Sequence, residues 1–317
     1  MMRLSDLGER KLLKEIVFKY LESPDFEDED AAILRFGNEF FVINVDTLVE
    51  STDMPRGMTY YDVGWKSVMM AVSDIVAKGA MPKGVLVSIT ASKNLDVSAF
   101  EYILRGIRAA CDFLGCWYVG GDLGAGKDLV VSVVCFGFTK KVIRRSTAKV
   151  GDSVWVTDLF GISGLALHYL LRDGIPIENI DNILQNFFRP RIDIKYALAL
   201  QSLATASMDS SDGLAVTLND IASASNVAIN LHKIPISPLA IDYANRNDLD
   251  PMDLALFAGE EFIIVFSSDR PDSEIFEVFE KLGLRKPIKI GEVVEGRGVF
   301  FEEKKIPRKG WEHFSKE

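Results

Sequence analysis

Short β-branched runs alternating with long helical stretches restrict this chain to an α/β architecture. Residues 40–49 form an apolar run that ends in a polar turn, and residues 60–80 follow as a helical stretch closed by Gly79 and Pro82. Strands at 85–89 and around Val119 flank a helix at 97–114, and residues 129–138 form one more buried strand. Together these make one α/β domain. A basic segment at 140–149, Gly151-Asp152 and a strand at 154–157 mark a junction. Beyond it, helices at 164–171 and 192–203 alternate with strands around Ala206, 227–231, 262–266 and 288–293. An amphipathic helix over 7–20 opens the chain, with Leu12, Leu13, Ile16, Val17 and Tyr20 on one face. Single cores stop growing near roughly 250–300 residues, so a chain of 317 residues is expected to divide in two.

A net charge of -10 argues against nucleic acid as a direct partner, because backbone recognition needs clustered Lys and Arg. An acidic protein still handles phosphates when divalent cations intervene. Cys111, Cys116 and Cys135 lack CxxC spacing, which supports neither a disulfide scaffold nor a zinc knuckle and predicts a reducing, cytoplasmic setting. The first residues are too charged for a secretory core, and the longest apolar run, 129–138, is far short of the ~20 residues of a membrane helix.

Gly121-Asp122-Leu123-Gly124-Ala125-Gly126-Lys127 has the spacing of a phosphate-binding P-loop, but Asp128 stands where Ser or Thr is required and a strand follows where a helix is needed. No GxGxxG follows a strand, Gly161-Ile162-Ser163-Gly164 misses the nucleophile-elbow spacing, and His168, His232 and His313 lie far apart. What remains is a set of acids at strand ends and helix starts: Asp28-Glu29-Asp30, Asp46, Asp53, Asp74, Asp122, Asp209, Asp212 and Glu260-Glu261. Each has a plain structural alternative. Asp74 pairs with Lys78 one helical turn on, Ser211 and Asp212 cap a helix starting at Gly213, or Asp46 ends a strand. Jointly they fit a different purpose, since carboxylates approach a triphosphate only with Mg²⁺ between them, and several ions need several dispersed aspartates.

In these blocks the chain resembles the thiamine-monophosphate kinases, within the superfamily that includes aminoimidazole ribonucleotide synthetase and selenophosphate synthetase. The likeness spans nearly the whole length: Asp28-Glu29-Asp30-Ala31-Ala32, Asp46-Thr47-Leu48-Val49-Glu50, the block from Ser73-Asp74 to Met81-Pro82, Gly120-Gly121-Asp122, Arg145-Ser146, Met208-Asp209-Ser210-Ser211-Asp212-Gly213-Leu214, Gly259-Glu260-Glu261-Phe262 and Gly310-Trp311-Glu312-His313-Phe314. The resemblance implies that Asp30, Asn44, Asp46, Asp74, Asp122, Asp209 and Asp212 hold several Mg²⁺ ions around the ATP phosphates. It implies that Gly121, Asp122, Arg145 and Ser211 meet ATP, that Asp209, Asp212 and Arg145 carry catalysis, and that Asp53, Glu260 and Trp311 bind thiamine monophosphate. Trp311 is suited to stack on flat rings, its plain alternative being a packing anchor. Asn44-Val45 replaces a Ser-Thr pair, Asp53 stands where His is common, and Ala258 leads the Gly259-Glu260-Glu261 block.

The fold implied is an N-terminal domain, 1–145, with a mixed four-stranded sheet that pairs with a second copy into a barrel, and a C-terminal α/β sandwich, 146–317. The reaction implied is direct in-line transfer of the γ-phosphoryl group, with no protein-bound intermediate. Among the rivals, selenophosphate synthetases use a reactive residue near the N-terminus, whereas the first cysteine here is Cys111. The hydrogenase-maturation relatives end in cysteine, whereas this chain ends Ser315-Lys316-Glu317. Aminoimidazole ribonucleotide synthetase and a silent ATP-binding module remain as alternatives.

Overall fold

Every second side chain of Val130–Thr139 is buried, the period of a strand covered on one face only. In the computed structural model, which describes residues 3–21 and 26–314, this strand (β5) lies mid-sheet. The terminal Ser315-Lys316-Glu317 lies outside the described residues. The other strands of the first sheet are β1 (Ala32–Phe36), β2 (Glu39–Val49), β3 (Met81–Ala91) and β4 (Trp117–Ala125), in the order β1-β2-β5-β3-β4. Only β3 and β4 run parallel, so the sheet is mixed. It has five strands rather than four. The extra one, β1, buries Ile33 and little else, so it carries no alternating apolar signal.

The first-half helices are α1 (Glu9–Glu15), α2 (Glu50–Asp53), α3 (Tyr60–Ala77) and α4 (Val97–Leu114). The Thr59 hydroxyl accepts from Asp62 N and the Asp62 carboxylate accepts from Thr59 N, a reciprocal cap that starts α3. Gly79, at φ 71, ends that turn where an L side chain is disfavoured. α3 and α4 cover one face of the sheet. The opening helix is shorter than expected: β-branched Ile16 leaves helical geometry, and Leu13, Ile16, Val17 and Tyr20 are exposed.

The second half builds a seven-stranded sheet from β6 (Ser153–Val156), β7 (Ala206–Ser210), β8 (Ala228–Leu231), β9 (Ile263–Ser268), β10 (Ile288–Val294), β11 (Gly298–Phe301) and β12 (Lys304–Ile306), in the order β12-β11-β8-β10-β6-β9-β7. Its helices are α5 (Ile162–Arg172), α6 (Ile180–Phe188), α7 (Lys195–Leu203), α8 (Leu214–Ser225), α9 (Pro238–Arg246), α10 (Pro251–Leu256) and α11 (Asp272–Lys281). The core under α3 and α4 continues into this half through Phe187, Leu200, Leu203 and Phe266, so the two halves share buried surface. Among the described residues no helix is long and apolar enough to cross a membrane.

Candidate active site

α3 runs along the seam between the halves and sends polar side chains across it. Asp62 pairs with Arg189, Lys66 with Glu260, and the Ser73 hydroxyl donates to the Asp209 carboxylate. Past its end, the Lys78 ammonium lies 2.6 Å from Glu29 and 2.8 Å from Asp30 and donates to Ser207 O. Positions 62, 66 and 73 fall near one helical stripe, so a mostly apolar helix has one ionic edge.

The acids predicted to hold metal gather where that edge meets β2 and β7. Asn44 Nδ2 donates to Asp46 Oδ2 at 3.0 Å and also to Asp74, which stands beside Asp209. Burial, then Asp209, Asp46 and Asp30, push the Asp74 carboxyl well above the usual carboxylate range. Burial pushes Asp209 up to about 6 and also raises Asp46. Asp212 is pushed up to about 7 by burial, Glu9 and Asp209, against Arg308. Asp209 Oδ1 and Ser210 Oγ are buried without a hydrogen-bond partner. Like charges this close ionise together only with a cation among them. Among the described residues no three His, Cys, Asp or Glu groups already stand in metal-binding geometry.

The plain alternatives for these acids fail on position. Asp46 sits inside β2, not at its end, and Lys78 turns to Glu29 and Asp30 instead of Asp74. α8 begins at Leu214 with Gly213 before it and no side-chain cap, so Ser211 and Asp212 do not cap it.

Asp30 is held differently. Burial pushes its carboxyl up, but Lys78 and Arg145 outweigh that and hold it below the usual range. Arg145 donates to Asp30 at 2.8 Å, to Asp28 Oδ1 at 2.7 Å and to Asp28 O, while Glu29 accepts from its backbone N. Arg145 thus clamps the first acidic block onto the junction.

Gly121 and Asp122 do not join the cluster within one chain. Asp122 pairs in register with Ser88, Ser88 with Ser132, and Ser132 with Thr47. That row faces away from Asp46, three strand spacings or roughly 14 Å across the sheet. A β-carbon on Gly121 would lie 1.7 Å from Val87 O, so the β3–β4 pairing itself requires glycine there.

Three motif blocks converge on the Asp209–Gly213 loop. Ser211 O accepts from Glu260 N at 2.6 Å, and Asp212 O accepts from Trp311 N at 3.0 Å. Gly259 and Gly310 permit these approaches, since a β-carbon would sit 2.6 Å from Ser211 O and 2.1 Å from Asp212 O respectively. Trp311 is 53% exposed. Asp53 stands apart, its carboxylate accepting from Val49 N at 2.7 Å.

Glu261 serves the fold, since its Oε1 accepts from Gly161 N at 2.7 Å and Ser163 N at 3.1 Å, at the start of α5. Burial pushes its carboxyl up to about 7, against those two donors. The folded state therefore holds this proton more tightly than the unfolded chain, and the stability tied to it is full below the unfolded value and lost as pH rises through about 7. Denaturant titrations of wild type and Glu261→Gln at pH 5 and 8 should show the wild type losing more, by roughly 3 kcal/mol. Parallel pH profiles would contradict this.

Lys66 escaped the sequence reading, although a lone Lys within the apolar stretch of α3 was the available signal, and Ser73 and Lys78 entered it only within a motif block and as a helical partner for Asp74.

Two α/β halves that meet at a buried acid cluster under a glycine-pinned loop define a phosphate-handling synthetase-type protein. The profiles of AIR synthase related protein, N-terminal domain, and AIR synthase related protein, C-terminal domain, match residues 28–139 and 149–304. A thiamine-monophosphate kinase of Aquifex aeolicus (strain VF5) is 34% identical over 99% of this chain and 100% of its own length. That of Nitrosopumilus maritimus (strain SCM1) is 32% identical over 98% of this chain and 100% of its own. A solved structure of AaThiL complexed with AMPPCP and TMP superposes with a TM-score of 0.89 at 34% identity, covering 99% of each chain. The chain belongs to the thiamine-monophosphate kinases of the AIR synthase related family.

Proposed function

We infer that this chain transfers the γ-phosphoryl group of ATP to thiamine monophosphate, giving thiamine diphosphate and ADP. The observation that carries the reading is the double pinning of the Asp209–Gly213 loop, which joins the acid cluster to Glu260 and Trp311 in one body. The acceptor oxygen belongs to a phosphate that is already ionised, so no side chain has to remove a proton from it. The residues then have only to bind, orient and exclude water.

The buried crowd of carboxylates and the partnerless Asp209 Oδ1 fit divalent cations, and we assign to several Mg²⁺ ions Asp30, Asn44, Asp46, Asp74, Asp209 and Asp212, and Asp122, which stands apart from them within one chain, across the proposed homodimer. Bound there, Mg²⁺ supplies compensation for phosphate charge. Gly121, Asp122 and Ser211 are assigned to ATP, and Asp209, Asp212 and Arg145 to the reacting phosphates, Arg145 acting from its clamp on the first block. Asp53, Glu260 and Trp311 are assigned to thiamine monophosphate. Direct transfer predicts that, in a single turnover with [γ-³²P]ATP, label passes to the terminal phosphate of thiamine diphosphate and none stays on protein. A labelled protein would overturn the direct route.

Trp311→Ala tests the substrate assignment. A flat aromatic contact contributes roughly 0.5–1.5 kcal/mol beyond area burial, so KM for thiamine monophosphate should rise several-fold while that for ATP holds. Melting temperature should change little, because the ring is 53% exposed. A purely thermal effect would remove Trp311 from the substrate site.

The domain division proposed is 1–145 and 146–317, the setting cytoplasmic, and the active form a homodimer. Every residue of the edge strand β4 is exposed, Trp117 at 73% and Leu123 at 69%, and Val45 at 60% lies on the uncovered face of the same sheet. A free edge beside exposed apolar side chains suits pairing with a second copy. Sedimentation at concentrations that support turnover should give the mass of a dimer, and an active monomer would contradict it.

A further inference from the structure

We propose that Lys66 is a positioning residue for this reaction, reaching from α3 to fix the Glu260 carboxylate at the wall of a cavity in the second half of the chain. The proposal rests on the proposed function, in which Glu260 meets thiamine monophosphate.

Lys66 lies within α3 and is completely buried. Its ammonium stands 2.6 Å from Glu260 Oε1 and 4.4 Å from the centre of the Phe187 ring, and it makes no well-directed hydrogen bond. Packing gives no reason for a charge here, because the desolvation of a buried ion pair offsets most of its attraction and apolar replacements are often neutral or stabilising. The reason lies with the partner. Glu260 keeps 28% of its side chain exposed and lines a cavity of about 630 Å³, together with Asp158, Tyr196, Ser237 and Arg285. Its backbone is fixed independently: φ is 65, in the left-handed region, and its N–H is held by Ser211 O. Such conformations persist where surrounding structure imposes them, and they concentrate at ligand sites.

With the backbone set by the loop and Oε1 engaged by Lys66, Oε2 is the oxygen offered to a ligand. A cationic ring carrying an amino group is the kind of partner an oriented carboxylate accepts. Without Lys66 the half-buried carboxylate would lose its fixed partner and swing toward water, which removes the oriented acceptor. Lys66 touches neither the phosphates nor the ligand and acts through Glu260 alone.

The test compares wild type, Lys66→Met, Glu260→Gln and the double variant in steady-state kinetics with ATP and thiamine monophosphate, beside melting temperatures. Lys66→Met should raise KM for thiamine monophosphate roughly ten- to hundredfold, as expected for loss of a charge-assisted contact, and leave KM for ATP within about twofold. In the Glu260→Gln background the same change should add almost nothing, because the group it orients is already altered. Additive effects, an equal loss for both substrates, or a fall in melting temperature with KM unchanged would overturn the proposal alone. A wild-type chain without turnover on thiamine monophosphate would overturn the substrate reading, and this proposal with it.

Discussion

Asp209→Asn should lower phosphoryl transfer by on the order of a thousandfold or more while leaving the melting temperature equal or higher, since it removes charge compensation where the phosphates react. The two halves of this expectation come from the same fact. Asp209 is buried, takes a hydrogen bond from Ser73, and has its carboxyl pushed up to about 6 by burial and by neighbouring acids. An ionised Asp209 thus costs the folded protein stability, and the neutral isostere relieves that cost. The site keeps the charge in spite of the fold, which is the pattern of a functional group held against its own stability. Asp74→Asn should behave alike, because burial and the Asp209, Asp46 and Asp30 carboxyls push its carboxyl well above the usual range. Initial rates of thiamine diphosphate formation and thermal melts of both variants check this. Near-wild-type rates would remove the residue from the site, and a large fall in melting temperature would show the cluster to be structural.

The second large effect is on folding. α3 and α4 cross at a pair of glycines: a β-carbon on Gly64 would lie 2.1 Å from Ile103 O, and one on Gly106 would lie 2.1 Å from Tyr61 O. Both obstacles are backbone, so no side chain can turn aside to admit even a methyl group. Gly64→Val must therefore force the helices apart across the whole buried face of the first sheet, an overpacking cost of roughly 4 kcal/mol or more. Because α3 carries Lys66, Ser73 and Asp74, activity should fall together with the folded fraction. Urea titration should show a much lower midpoint or no folded baseline, whereas a midpoint within experimental scatter of wild type would mean that the helices do not meet there.

Much of this was legible in the sequence, for physical reasons that vary from element to element. α3 and α4 could be placed because long apolar stretches between clear stop signals leave little choice. The opening helix was overextended because its spacing promised a buried face, whereas Leu13, Ile16 and Tyr20 remain exposed. β1 was missed because one buried residue makes no pattern. The acid blocks were legible as motifs, but their division of labour was not: Lys78 with Glu29 joins residues 49 apart, and Ser73 with Asp209 joins residues 136 apart. Periodicity carries no information at that separation. Only the folded chain shows that Asp30 is held by two cations while Asp46, Asp74 and Asp209 crowd together without one.

The central claim is best tested by incubating the purified chain with ATP, Mg²⁺ and thiamine monophosphate and following thiamine diphosphate and ADP together. Saturable formation of the two products in equal amounts, abolished by a chelator, is the predicted result. ADP release without thiamine diphosphate, or no turnover with active-site acids intact, would contradict it.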